Sequence, residues 1–169
     1  MRQLSLADIN QAGRDEFVTT LGDVYEESPW VAERSELERP FASAKELQRT
    51  MQRVVEESTW DSQLTLLRAH PDLGEQTEMT DASEAEQSAA GLDELGPEQY
   101  ETFQRLNESY QDQFDFPFIM AVKNATPETI QAAMERRLEN SAAQEFRTAL
   151  DEVHKIARLR LDEQLDEPV

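Results

Sequence analysis

The chain has 169 residues, enough for one domain with a single hydrophobic core. It carries 36 acidic and 16 basic residues, and the net charge of −20 predicts repulsion from nucleic acids and from anionic membrane surfaces. Cysteine is absent, which excludes disulfides, thiolate catalysis and cysteine-based zinc sites, and the two widely separated histidines do not predict a metal site.

Helix signals recur along the chain, and no segment shows the convincing apolar–polar alternation of a strand. The predicted helices are 6–12 after Ser5, 14–21 from Arg14, 44–57 after Ser43, 60–69 after Thr59, Ser83 to about Ala90, 98–113 after Pro97, Thr126 to about Glu139, and Ser141 to near Gln164. Residues 26–40 are predicted to form a loop with one short turn of helix. We therefore expect an all-α fold, a single compact domain of about seven to nine helices over residues 1–169, with a frayed acidic tail at 162–169.

His70 is the first candidate for chemistry. Residues 60–67 have mostly helical apolar spacing, and a residue that precedes proline is pushed out of the helical region, so His70 is expected to close this helix. The helix macrodipole favours a protonated imidazole at that end, which makes His70 a candidate general acid. The alternative is a solvated histidine that only caps the helix.

Ser83-x-x-Glu86 matches a capping box, with Ser83 at the N-cap and Glu86 at the third helical position. The positive end of a helix favours an ionised carboxylate, so His70 and Glu86 are predicted to form one cationic donor and one anion, brought together by the loop between them. The plainer interpretation is that Ser83 and Glu86 only start a helix.

Residues 114–123 form the most apolar run of the chain and are predicted to be buried core. Their backbone supports a second interpretation, because Pro117 suits the first position of a helix and leaves the following N–H groups without partners. Such amides can hold an anionic or carbonyl-bearing ligand.

The last predicted helix supplies a candidate cation. Arg160 follows Val153 and Ala157 on the apolar stripe of that helix, where an unpaired charge is costly. Arg160 is therefore expected to bind either an anionic ligand or a structural glutamate. His154 lies beside the stripe and is predicted to be partly exposed and uninvolved.

Five motifs together resemble one enzyme family. They are HPDLG at 70–74, SxxEQ at 83–87, FPFIMAVK at 116–123, RLEN at 137–140 and EVHKIARLRL at 152–161. In this order, and over nearly the whole chain, they are similar to the 2-oxo-4-hydroxy-4-carboxy-5-ureidoimidazoline (OHCU) decarboxylases, which act in urate breakdown.

The resemblance implies a decarboxylation that yields (S)-allantoin and CO2 in a homodimer, with no metal and no organic cofactor. It implies His70 as the proton donor, and we expect Glu86 to orient either the substrate hydroxyl or the histidine. The substrate contacts that it implies are Pro71, Ser83, Gln87, Phe118, Ile119, Met120, Ala121, Val122 and Arg160.

Two features depart from that family. Relatives commonly have glycine where this chain has Asn124, and asparagine tolerates left-handed backbone better than most residues, so the turn is expected to survive. The loop between His70 and Ser83 is short and acidic. An anionic substrate would need nearby cations, for which Arg68, Lys123 and Arg160 are the candidates.

The acidic composition is typical of proteins that are soluble in concentrated salt. At roughly 1 M salt the Debye length is about 3 Å, so surface carboxylates hardly repel one another. We therefore expect a salt-loving, archaeal host. Acidic disorder is the alternative, which the helical spacing disfavours. The sequence shows no signal peptide, no long apolar span and no peroxisomal tripeptide, so a cytoplasmic location is expected.

Two other functions fit the same residues. One is a decarboxylase or hydrolase that acts on another ureido acid. The other is a catalytically silent helical binding module, in which the motifs survive as packing and caps. Such a module would need neither a histidine nor a buried cation, so the presence of His70 and Arg160 argues against it.

Overall fold

The computed structural model describes residues 3–75 and 78–169. Within these ranges the chain forms nine α-helices and no strand, which confirms the all-α prediction. The helices are α1 (Leu6–Gln11), α2 (Arg14–Leu21), α3 (Trp30–Glu36), α4 (Ala44–Glu56), α5 (Trp60–Arg68), α6 (Asp81–Ala89), α7 (Pro97–Phe114), α8 (Pro127–Arg137) and α9 (Ala142–Gln164). None of these helices combines the length and the apolar character that crossing a membrane requires.

Several helices begin where a polar side chain caps them. The Ser5 hydroxyl accepts a hydrogen bond from the Asp8 N–H, and the Asp8 carboxylate accepts one from the Ser5 N–H. Ser43 and Thr126 cap α4 and α8 in a similar way. These three predicted helix starts are confirmed.

Helix α3 lies in the stretch that the sequence predicts as a loop with one short turn, and that prediction was wrong. Its N-cap is Pro29, which makes no side-chain capping bond, so no capping side chain marks the start. Val31, Ala32 and Ser35 are buried. Packing against α2 and α4 therefore stabilises a helix that its own sequence does not announce.

The described residues fall into two compact units. The first contains residues 3–66 and His154–Val169, and the second contains Leu67–Val153 apart from residues 76 and 77. Large apolar side chains are fully buried in both units. In the first they include Phe17, Leu21, Leu47, Met51 and Leu161, and in the second Leu67, Phe103, Phe118, Ile130 and Met134.

The end of the chain makes defined contacts within the first unit. The Leu4 N–H donates to the Gln164 carbonyl at 2.8 Å, and the Asp166 N–H donates to the Leu4 carbonyl at 2.9 Å. Glu167 accepts a hydrogen bond from the Ala44 N–H at 3.2 Å. These bonds hold residues 164–167, which lie inside the segment that the sequence predicts as a frayed tail.

An aromatic cluster forms the centre of the second unit. The Tyr110 ring lies 4.6 Å from that of Phe114, 5.8 Å from that of Phe116 and 5.4 Å from that of Phe118, measured between ring centroids. These edge and tilted contacts suit aromatic rings and bury the start of the apolar segment. The prediction that its side chains belong to the core is confirmed for Phe116, Phe118, Ile119 and Val122.

Candidate functional site

His70 lies just beyond the C-terminus of α5, as predicted. The helix ends at Arg68, and the His70 N–H donates to the Leu67 carbonyl at 3.3 Å. Only 8% of the His70 surface is exposed. A solvated cap is therefore a poor description of this histidine.

The backbone after His70 is held by two amide side chains. Gln87 of α6 accepts from the Gly74 N–H through Oε1 at 3.0 Å and donates through Nε2 to the Asp72 carbonyl at 3.4 Å. Asn107 of α7 donates to the Leu73 carbonyl at 2.9 Å. Three consecutive residues of the HPDLG motif are thus fixed from two helices. Each end of the Gln87 amide makes one of these bonds.

The predicted capping box at Ser83 was wrong. Helix α6 begins one turn earlier, because Thr80 is the N-cap and accepts a hydrogen bond from the Ser83 N–H at 3.2 Å. Glu86 therefore lies in the second turn, where the field of the helix N-terminus is weaker. Ser83 is buried on the same helical face as Gln87, and Glu86 is half-buried beside them.

A surface pocket of about 370 Å³ brings the histidine next to the apolar segment. Its walls are formed by Arg68, His70, Pro71, Asp72, Glu75, Gln111, Asp115, Phe116 and Pro117. The pocket joins two of the predicted motifs, HPDLG and FPF, within the second unit. Gln87 links a third motif, SxxEQ, to HPDLG through its hydrogen bond to the Asp72 carbonyl.

Carboxylates outnumber cations in this pocket. Arg68 pairs with Asp115 at 2.6 Å, so one of the cations expected to attract an anionic substrate is already partly neutralised. Burial raises the pKa of Glu75, and the neighbouring Asp72 carboxylate raises it further. Glu75 consequently keeps its proton to a higher pH than an ordinary glutamate.

The backbone of the apolar segment does not follow the prediction that Pro117 starts a helix. Residues 117–122 are irregular, and the next helix begins at Pro127. The aromatic rings on both sides of Pro117 are buried in the Tyr110 cluster, and that packing sets the path of the chain instead. Asn124 has a φ of 63°, which confirms the expected left-handed turn.

Two buried or half-buried charged residues hold this segment, and neither is among the site residues predicted from the sequence. Arg137 donates to the Ile119 carbonyl at 2.7 Å, and Glu152 accepts from the Ala121 N–H at 3.1 Å. Arg137 belongs to the RLEN motif and Glu152 to the EVHKIARLRL motif, so the resemblance was the signal that could have identified them. Local sequence cannot reveal their partners, since these lie on a different part of the chain.

Arg160 belongs to the first unit and is only 5% exposed. Its guanidinium donates to the Asp23 carbonyl at 3.0 Å and pairs with the Glu26 carboxylate at 3.2 Å. The expectation of a structural glutamate as partner is therefore met. A contact between Arg160 and a ligand stays a prediction from the resemblance.

His154 also belongs to the first unit, and the prediction that it is partly exposed was wrong. Its Nδ1 lies 2.7 Å from the Tyr25 hydroxyl and its Nε2 lies 3.4 Å from Glu56. The imidazole packs edge-on against the Tyr25 ring, which explains its burial. Burial raises the pKa of Tyr25, and the Glu56 carboxylate adds to this effect.

Comparison with known proteins gives a consistent result over nearly the whole chain. The family model described as OHCU decarboxylase matches residues 10–162. A 2-oxo-4-hydroxy-4-carboxy-5-ureidoimidazoline decarboxylase of Haloferax volcanii is 60% identical over 163 residues, which cover 96% of this chain and 97% of that protein.

Solved structures agree with this similarity. A crystal structure of (S)-allantoin synthase matches with a TM-score of 0.77 and 35% identity, covering 96% of this chain and 55% of that chain. A crystal structure of OHCU decarboxylase in the presence of (S)-allantoin matches with a TM-score of 0.72 over 92% of this chain and all of that chain. Its sequence identity of 23% means that this second likeness shows a shared fold.

Proposed function

Because the chain belongs to the OHCU decarboxylase family, we propose that it converts 2-oxo-4-hydroxy-4-carboxy-5-ureidoimidazoline into (S)-allantoin and CO2. The observation that carries this proposal is the 60% identity to the Haloferax volcanii decarboxylase over 96% of the chain. A similarity over 163 residues does not rest on one motif alone.

The reaction defines what the protein has to supply. The bond between the carboxylate and the carbon that bears the hydroxyl breaks, CO2 leaves, and the electron pair moves into the neighbouring C=N of the ring. A proton must then arrive on one face of the product to give a single enantiomer. The substrate supplies its own electron acceptor, so the main requirement is an acid that is fixed in space.

We assign that acid to His70. Its ring is buried, it follows the end of a helix, and it lines the same pocket as Pro71 and Pro117. The bonds of Gln87 and Asn107 with the backbone of Asp72, Leu73 and Gly74 support a fixed position for the loop. A general acid held in this way gains rate from correct orientation before the reaction starts.

The remaining roles follow the resemblance. We assign Glu86 the role of orienting either the substrate hydroxyl or His70. Its negative charge also destabilises the nearby substrate carboxylate, which leaves as CO2. Pro71, Ser83 and Gln87 are assigned to contacts with the ring and ureido groups, together with the segment Phe118, Ile119, Met120, Ala121 and Val122. Arg160 is assigned to anchoring a substrate anion.

The proposed setting is the cytoplasm of a salt-loving host, with the protein acting as a homodimer that binds neither nucleic acid nor membranes. The net charge of −20 and the similarity to a Haloferax protein support the host. Sedimentation at about 2 M KCl measures the oligomeric state, and a monomer under these conditions would contradict the dimer.

The function is tested directly by supplying the unstable substrate. Urate is converted by the two enzymes that precede this step in concentrated salt, the protein is added, and allantoin is followed by circular dichroism. We expect an optical signal that appears much faster than spontaneous decay produces it. A signal at the spontaneous rate would favour the binding module, and turnover of only another ureido acid would favour the second alternative.

A further inference from the structure

The Ile119 carbonyl is held by a buried ion-pair network. Arg137 donates to it through Nη1 at 2.7 Å and to Glu145 Oε1 through Nε at 2.8 Å. Glu145 is fully buried and also accepts hydrogen bonds from Tyr110 at 2.6 Å and Asn140 at 2.8 Å. The position of the guanidinium is therefore fixed by groups that cannot move independently.

The same guanidinium covers an aromatic ring of the segment it binds. Its central carbon lies 4.3 Å from the centroid of the Phe118 ring. A cation over a ring face is favourable, and more so away from water. Arg137 thus holds both the side chain of Phe118 and the carbonyl of Ile119, and a lysine has no planar group with which to do this.

Glu152 holds the next peptide group. Its carboxylate accepts a hydrogen bond from the Ala121 N–H at 3.1 Å, and the side chain is half-buried on α9 within the second unit. The peptide bonds on either side of Met120 are trans, so the carbonyl and the N–H of each point in opposite directions. The Met120 N–H therefore points away from Arg137, and the Met120 carbonyl points away from Glu152.

We infer that Arg137 and Glu152 are positioning residues that set the orientation of the two peptide groups around Met120 for binding of the substrate. The inference rests on the proposed function, in which this segment contacts substrate. The Met120 N–H is then a fixed donor and the Met120 carbonyl a fixed acceptor. Together they suit a ligand that offers an amide-like edge, as a ureido group does. Neither charged side chain has to touch the substrate itself.

The experiment compares Glu152→Ala, which removes the acceptor, with Glu152→Gln, which keeps an oxygen for the Ala121 N–H. The rate of (S)-allantoin formation gives KM and kcat for each variant. We expect Glu152→Ala to raise KM by about tenfold while kcat changes little, and Glu152→Gln to stay within about threefold of the parent protein. Glu163→Ala removes an exposed carboxylate from the same helix and is the control for net charge.

A second variant tests the other anchor. Arg137→Lys keeps a cation beside Glu145 but loses the planar fork, and we expect a rise in KM of similar size. Far-UV circular dichroism checks that each variant is folded. If Arg137→Lys does not fold, the KM of Glu152→Ala alone tests the inference. An unchanged KM in Glu152→Ala, or no rescue by Glu152→Gln, would overturn the inference. Absence of turnover in the parent protein would instead overturn the proposed function, and the inference with it.

Discussion

Gly74 shows how a single residue fixes the loop that carries the candidate acid. Its φ is 83°, in the left-handed region that L side chains rarely adopt. A Cβ at this position would lie 2.8 Å from the Phe103 ring and 3.0 Å from Leu95. The Gly74 N–H is at the same time bonded to Gln87. Backbone conformation, space and hydrogen bonding therefore all favour glycine here.

Replacement of this residue is expected to be costly. Gly74→Ala should lower the free energy of unfolding by at least about 2 kcal/mol, because backbone strain adds to a clash with the side chains of Phe103 and Leu95. Gly13→Ala is the comparison, because a Cβ there meets nothing within 4 Å and φ is already −62°, so only the smaller cost of alanine as the N-cap of α2 is expected. Urea unfolding measures both. Equal and small losses in the two variants would contradict this description of the loop.

At the residue scale, the sequence predicted the position or backbone conformation of residues whose environment is set by their neighbours along the chain. The position of His70 follows from the proline after it, and the left-handed backbone of Asn124 follows from its residue type. The bonds between Gln87 and Gly74 and between Arg137 and Ile119 could not be predicted in this way. They join residues that only the folded chain brings together.

Among the helices, α6 matters most for the proposed site because it carries Ser83, Glu86 and Gln87. Both Thr80 and Ser83 are good N-cap residue types, so sequence offered two possible starts one turn apart. The helix uses Thr80, and this choice turns Ser83 and Gln87 toward the interior. The role of Glu86 then depends on its neighbours rather than on the helix dipole.

The cap of α6 can be tested without touching the proposed contacts. Thr80→Ala should lower the free energy of unfolding by about 1 kcal/mol, whereas Thr80→Ser keeps the hydroxyl and should lose much less. Thermal or urea unfolding in concentrated salt measures the difference. If both substitutions have the same effect, Thr80 does not cap the helix as described.

Helix boundaries were predictable where a capping side chain or a proline marks them. The predicted starts after Ser43 and Thr126 agree with α4 and α8, and the long α9 ends at Gln164 as expected. Helix α3 was not predicted although Pro29 precedes it, because burial of Val31 and Ala32 stabilises it rather than a capping side chain. The irregular path after Pro117 was missed for the same reason, since aromatic packing determines it.

For the molecule as a whole, charge is the dominant property. A net charge of −20 on 169 residues destabilises the compact state through self-repulsion unless salt screens it. The pocket beside His70 adds Asp72, Glu75 and Asp115 to this field. Screening should therefore help both folding and the approach of an anionic substrate.

Dialysis from roughly 2 M KCl into about 0.1 M salt lengthens the Debye length from under 3 Å to about 10 Å. We expect the helical circular dichroism signal to fall and KM to rise over this range. Sucrose in low salt is the control, because it stabilises proteins by exclusion without screening charge. Stability that is unaltered by removal of salt would argue against a salt-adapted protein.

The most direct test of the account compares the enantiomeric excess and rate of allantoin formation for the parent protein and His70→Ala. The parent protein should give (S)-allantoin alone, whereas the folded variant should be slower by about 10²- to 10⁴-fold and give racemic product from spontaneous decay. Single-enantiomer product at the parental rate from His70→Ala would show that another group delivers the proton.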